Sequence, residues 1–104
     1  MRRASRDEVK AVAIIFHIPA SLREFTSGQR DVEIATAPTT LADALSALWL
    51  AYPGLRDRVT TEQGEIREHI NIFIGDDDVR FTGGLATRIA RGCEISIVPS
   101  ISGG

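Results

Sequence analysis

The sequence predicts an α+β domain in which one main helix packs across a mixed sheet, and three observations carry that expectation. Apolar residues alternate at period two toward both ends of the chain, one central stretch switches to helical spacing, and Pro, Gly and Asp residues punctuate the segments between them. With 104 residues, 43% of them hydrophobic, the chain can bury one core. A single domain is therefore expected over residues 10–99, with a disordered extension at 1–9 and a flexible tail at 100–104.

The first strand is expected at Lys10–Ile18, where KAVAIIFHI sets Val12, Ile14, Phe16 and Ile18 on one face. Pro19 ends it. Ser27-Gly28 supplies turn chemistry, and Val32 and Ile34 then alternate with Asp31 and Glu33 in a half-exposed second strand, so the two form a wide hairpin. From Thr40 the period becomes helical, with Leu41, Leu45, Leu48 and Tyr52 on one stripe and Ala44 and Trp49 beside it. Thr40 can cap this helix, Asp43 suits the positive end of its dipole, and Pro53-Gly54 stops it.

Residues Leu55 to Glu68 are polar and weakly patterned and are expected to form a loop with a short helical turn. Alternation returns through Ile70, Ile72 and Ile74, and Asp76-Asp77-Asp78 is expected to turn the chain into a short strand at Val79–Phe81. Gly83-Gly84 breaks that segment, Leu85–Ala90 holds one helical turn, and Gly92 leads into a final strand at Cys93–Val98 closed by Pro99. Cys93, Ile95 and Ile97 share one face of that strand, and Glu94, Ser96 and Val98 the other. A hairpin, a helix crossing the sheet and returning strands make the β-grasp, or ubiquitin-like, arrangement.

Charge and cysteine usage exclude several roles. A formal net charge of -2 and a pI near 5.6 provide no basic field for a phosphate backbone, so nucleic acid is not an expected partner. The basic cluster Met1-Arg2-Arg3-Ala4-Ser5-Arg6 reads as a solvated terminus. One cysteine forms no internal disulfide, no export leader is recognised, and the apolar stretches Ala11–Ile18 and Leu41–Tyr52 are too short to cross a bilayer. A cytoplasmic protein without a membrane partner is expected.

The candidate chemistry lies in the tail Ser100-Ile101-Ser102-Gly103-Gly104. Small residues leave it without packing groups, and glycine lets a carboxylate enter a narrow active site without a Cβ to widen the chain. Gly104 is the expected reacting residue, with Gly103, Ser102 and Ile101 as the arm that delivers it. The remaining candidates read as structural. Cys93, at the start of an alternating strand, reads as a small buried hydrophobe. His17 and His69 lack partners at metal spacing, so no metal site is expected. Asp76-Asp77-Asp78 lacks a calcium-loop pattern, and Gly83-Gly84 is a backbone turn. If Ile14, Phe16, Ile72 and Ile74 face the helix, Ile15 and Phe73 point to the opposite side of the sheet and form a candidate docking patch for a partner.

The stretch INIFIGDDDVRFTGGLATRIARGCEISIVPSISGG, from Ile70 to Gly104, resembles the ThiS/MoaD-type sulfur carriers, and among them the carriers of actinobacterial cysteine biosynthesis. Asn71, the acidic turn before Val79-Arg80-Phe81, Gly83-Gly84-Leu85-Ala86-Thr87, Gly92, Pro99 and Gly103-Gly104 carry the likeness. Ile18-Pro19, Leu22-Arg23, Thr26 and Gly28-Gln29 extend it to about Val12, whereas Met1 to Glu8 is extra and Arg91-Gly92 stands where such carriers have Asp-Gly. The resemblance implies that an E1-like enzyme uses ATP to adenylate the Gly104 carboxylate and that a sulfur donor converts it to a thiocarboxylate. It further implies a sulfur-accepting PLP-dependent cysteine synthase and a metalloprotease that releases the product. ATP and PLP belong to those partners; this chain has no phosphate loop and no nucleophile with a spaced base, and is expected to be a cosubstrate rather than an enzyme. Three alternatives stay open: a ubiquitin-like modifier conjugated through Gly104, the small subunit of molybdopterin synthase, and a β-grasp interaction module whose tail is dispensable.

Overall fold

The computed structural model describes residues 13–35 and 40–100. Its strands are β1 (Ile14–His17), β2 (Asp31–Ile34), β3 (Ile70–Ile74), β4 (Asp77–Asp78) and β5 (Glu94–Pro99), and its helices are α1 (Leu41–Ala51) and the single turn α2 (Arg56–Val59). The five strands form one sheet in the order β2-β1-β5-β3-β4. β1 pairs antiparallel with β2 and parallel with β5, and β3 pairs antiparallel with both β5 and β4. This is the expected β-grasp, with the first and last strands side by side at its centre.

Alternation decides which side of the sheet is buried. Ile14 and Phe16 on β1, Val32 on β2, Ile70 and Ile72 on β3, and Ile95 and Ile97 on β5 all lose their solvent. α1 supplies the other half of the core through Leu41, Ala44, Leu45 and Leu48, while Tyr52 and Trp49 pack partly buried at its margin. The helix begins in a capping box: the Asp43 N–H donates to Thr40 Oγ1 at 3.3 Å, and the Thr40 N–H donates to Asp43 Oδ2 at 3.3 Å. Thr40 also bridges to Arg88, and the Leu41 N–H donates to the Thr87 carbonyl, which ties the start of α1 to the loop before β5.

Three segments differ from the sequence expectation. The short strand after the acidic turn is Asp77–Asp78, and Val79–Phe81 is a 3-10 turn. Gly75, at φ 59°, allows a two-residue turn that pairs Ile74 with Asp77, and the Asp78 carboxylate then accepts the Arg80 N–H at 2.9 Å and curls the chain away from the ladder. The helical turn expected at Leu85–Ala90 is instead a 3-10 turn at Gly84–Ala86. The hairpin connection also carries a 3-10 turn at Ala20–Thr26, where Thr26 is fully buried and its hydroxyl donates to the Gln29 carbonyl at 2.7 Å.

The polar stretch after α1 contributes more to the core than its composition suggests. Leu55 and Val59 are both fully buried, four residues apart on consecutive helical turns. Phe25 reaches the same corner: its ring lies 3.1 Å from where a β-carbon on Gly54 would stand, and the Arg58 guanidinium lies 4.8 Å from its centroid. The first-strand expectation from Lys10 to Val12 falls outside the described residues, as do the extension and residues 101–104.

Leu55 is thus expected to behave as a core residue. Leu55→Ala should lower unfolding stability by about 2 to 5 kcal/mol through the cavity it leaves. Leu50→Ala, on the solvent side of α1 at 87% exposure, should change it by less than about 0.5 kcal/mol. Urea unfolding of the two variants compares them directly, and equal effects would place Leu55 outside the core.

Candidate functional site

The site is built where β5 leaves the sheet. Pro99 remains in register with Ile70, and the Ser100 N–H donates to the His69 carbonyl at 2.6 Å, so the backbone is anchored through Ser100. Ile101, Ser102, Gly103 and Gly104, the tail residues expected to carry the chemistry, lie outside the described residues.

Beside this anchor lies the side of the sheet turned away from α1. Register and alternation place Asp31 and Glu33 of β2, Ile15 and His17 of β1, Glu94, Ser96 and Val98 of β5, and Asn71 and Phe73 of β3 on it. Ile15 and Phe73 do share this face, but each is half-buried and they are separated by β5, since Ile15 is in register with Glu94 and Phe73 with Ser96. Two strand spacings and a two-residue offset along β5 put about 12 Å between them. The expected apolar patch is therefore divided by Glu94 and Ser96 of β5. Val98, 40% exposed, is the most open large apolar side chain of the face and stands next to the tail anchor. A shallow groove between His17, Pro19, Arg23, Arg30, Val98 and Pro99 opens at the same end.

One polar constellation on this face was not foreseen. His17 Nδ1 lies 2.8 Å from Asp31 Oδ1 and its Nε2 lies 2.7 Å from Glu94 Oε1, so one imidazole bridges three adjacent strands. The hydrogen bond to Asp31 raises the His17 pKa above its ordinary value of 6.5, partial burial works against the rise, and the bond to Glu94 adds to it. Asp31 is shifted the other way, below its ordinary 3.8, chiefly by the same hydrogen bond. Asp31 opposite His17 could have been found from the hairpin register; Glu94, 77 residues away from His17, could not.

The other candidates occupy structural places. Cys93 is half-buried against the core, and burial pushes its thiol pKa up, which disfavours the thiolate a sulfur relay needs. His69 is exposed and offers its carbonyl to the tail anchor. Among the described residues, no group of three or more His, Cys, Asp or Glu is arranged to hold a metal ion. Gly83 and Gly84, at φ 121° and 59°, form the backbone turn expected of them. No helix among the described residues is long and apolar enough to cross a membrane.

Comparison with known proteins points in one direction. The family model of the ThiS family matches residues 16–104. The sulfur carrier protein CysO of Mycobacterium tuberculosis is 39% identical over 89 residues, covering 84% of this chain and 94% of that protein. Small archaeal modifier protein 1 of Haloferax volcanii is 34% identical over 79 residues, covering 75% of this chain and 86% of that protein. Among solved structures, the Amycolatopsis orientalis BexX/CysO complex contains a chain that superposes with a TM-score of 0.80 at 30% identity, covering 88% of this chain and 100% of that one. These neighbours are ubiquitin-like β-grasp proteins, as the strand order here requires.

The His17 bridge has a defined pH signature. His17 binds its proton more tightly in the folded than in the unfolded chain, so its contribution to stability is complete below the ordinary value of 6.5 and is lost as pH rises through the raised folded value. Asp31, with a lowered folded value, contributes above its ordinary 3.8 and loses that contribution as pH falls through the folded one. The urea midpoint of the unsubstituted protein minus that of His17→Gln should therefore be largest near about pH 5 and shrink by about pH 9. A difference that grows with pH would show that the bridge does not hold the proton.

Proposed function

This chain belongs to the ThiS family, and we propose that it serves there as a sulfur carrier loaded at the carboxylate of Gly104. Its relatives are small carriers and modifiers rather than enzymes. The observation that carries the proposal is that the family match runs through residue 104 and so includes the Gly103-Gly104 pair directly beyond the anchored end of β5.

The chemistry follows from what a terminal carboxylate lacks. A carboxylate is a poor electrophile. An E1-like partner using ATP joins AMP to it with loss of pyrophosphate, and sulfide-level sulfur then attacks the acyl carbon, breaking the bond to the phosphate oxygen so that AMP leaves and a thiocarboxylate remains. This chain supplies the terminus, a slender glycine approach and a rigid base for the arm; ATP is bound by the partner. Identity with a CysO supports cysteine biosynthesis as the destination of the sulfur, with a PLP-dependent cysteine synthase as acceptor and a metalloprotease as the releasing enzyme. The likeness to the BexX/CysO complex supports a carrier that works while docked to a partner protein, with Ile15, Phe73 and Val98 as the apolar contacts of the sheet face turned away from α1.

Identity with an archaeal modifier favours a second use of the same activated terminus, transfer to a lysine amine. Intact-mass measurement of the protein from its own host separates the two. Exchange of one oxygen for sulfur at the terminus is the expected result, and isopeptide adducts on other proteins without that exchange would favour the modifier. Adding one residue after Gly104 should abolish adenylation and leave the unfolding midpoint unchanged. Adenylation of the extended chain would show that the Gly104 carboxylate is not the reacting group.

Docking has its own test. Replacing Ile15 and Phe73 together by Ser should raise the concentration of carrier needed for half-maximal adenylation by about tenfold, as expected when apolar anchors leave an interface. Circular dichroism checks that the fold survives, and an unchanged requirement in a folded variant would remove these two residues from the interface.

A further inference from the structure

We infer that the sheet face turned away from α1 is matched to a partner surface in which the apolar contact is flanked by basic side chains, and that the carboxylates of Asp31, Glu33 and Glu94 are its counter-charges. The inference rests on the carrier reading above and concerns the chemistry of the activating enzyme's docking surface.

Reach defines where that enzyme must sit. Ser100 is fixed to His69, and four further residues span at most about 14 Å when fully extended. An active site that takes Gly104 therefore approaches the end of the sheet where Val98, His17 and the groove lie, and an enzyme-sized body at that distance covers part of the face. Val98, Ile15 and Phe73 provide its apolar contacts.

Within the strands, the aspartates and glutamates are the only residues of this face that carry a full charge whatever the state of His17. Asp31 and Glu33 lie exposed along β2 and Glu94 lies exposed on β5, while Asp78 on β4, in register with Phe73, is half-buried at the opposite edge. No arginine among the described residues lies within a strand; Arg23 and Arg30 stand at the rim of the groove, and the others fall in the segments 56–67 and 80–91. Three groups temper the acidity of the four carboxylates without reversing it, and one of them is Arg23, whose Nε–H donates to the Ile18 carbonyl at 3.1 Å. His17 holds Asp31 and Glu94 in place but can carry only one positive charge against their two, and Arg30 Nε stands 3.6 Å from Asp31 Oδ2, with 73% of its side chain exposed to solvent. A partner surface bearing acidic groups would meet repulsion here, and a purely apolar one would strip water from carboxylates without pairing them. A surface of apolar side chains ringed by Arg or Lys satisfies both demands.

The experiment measures adenylation of the full chain by the E1-like enzyme of the same organism, read as ATP–pyrophosphate exchange. KM for the carrier should rise with sodium chloride concentration. Glu33→Gln combined with Glu94→Gln should raise KM at low salt by about three- to tenfold, keep kcat, and flatten the salt dependence, since interfacial charges act mainly on encounter and are screened by ions. Glu62→Gln with Glu65→Gln, on the loop after α2, should leave KM unchanged. Circular dichroism and the urea midpoint establish that each variant is folded. A KM that ignores salt and is unmoved or lowered by the Glu33/Glu94 pair would overturn the inference and leave the carrier reading standing. Failure of the unsubstituted chain to be adenylated at all would overturn both.

Discussion

β1 and β5 lie side by side and run in the same direction, although His17 and Glu94 are 77 residues apart. Parallel neighbours cannot be joined by a tight turn, so everything between them must leave the sheet and return. β2 returns immediately on the outer edge of β1, α1 crosses one side, and β3 with β4 closes the other edge. Because a single crossing helix covers a single side, the buried half of each strand alternation faces α1 and the other half is left toward solvent. The two-sided character of the molecule, a packed face and a solvent face, follows from that one pairing.

The same pairing fixes the end of β5. Held between β1 and β3, the last strand is paired on both sides at Ile95 and Ser96 and with β3 from Ile97 to Pro99, and Ser100 adds a final bond to His69. A tail rooted in the centre of a sheet presents its terminus from a base that does not move with a fraying edge. Under the proposed carrier function such a base matters, because that chemistry would take place inside a partner, a few residues beyond the anchored Ser100. The groove and Val98 lie at this root, and the acidic side chains spread away from it along β2 and β5.

The core and the solvent face also differ in how their groups are secured. Toward α1, packing is carried by branched aliphatic side chains, with Leu55 and Val59 closing the end that α1 leaves open. Toward solvent, one imidazole links β2, β1 and β5 by hydrogen bonds to two carboxylates, an arrangement that orders charges without burying them. Exposed pairs of this kind add little stability. Their effect is to fix where the charges of Asp31 and Glu94 stand on the face.

Much of this was legible in the chain itself. The alternation of Ile14 with Phe16, Ile70 with Ile72, and Ile95 with Ile97, the helical spacing of Leu41, Leu45 and Leu48, and the Thr40 and Asp43 cap are local patterns, set by side-chain periodicity and the unsatisfied groups at a helix end. The terminal Gly-Gly and its likeness to a family were equally a property of sequence. What only the tertiary structure decided depends on contacts between distant segments. Leu55 and Val59 are buried because α1 and Phe25 leave a corner for them to fill. Ile15 and Phe73 share a face but do not meet because β5 runs between them. His17 finds Glu94 only because β1 and β5 are neighbours. Periodicity tells a side chain which way to point; which residue stands opposite is determined by strand order, and no local pattern encodes that.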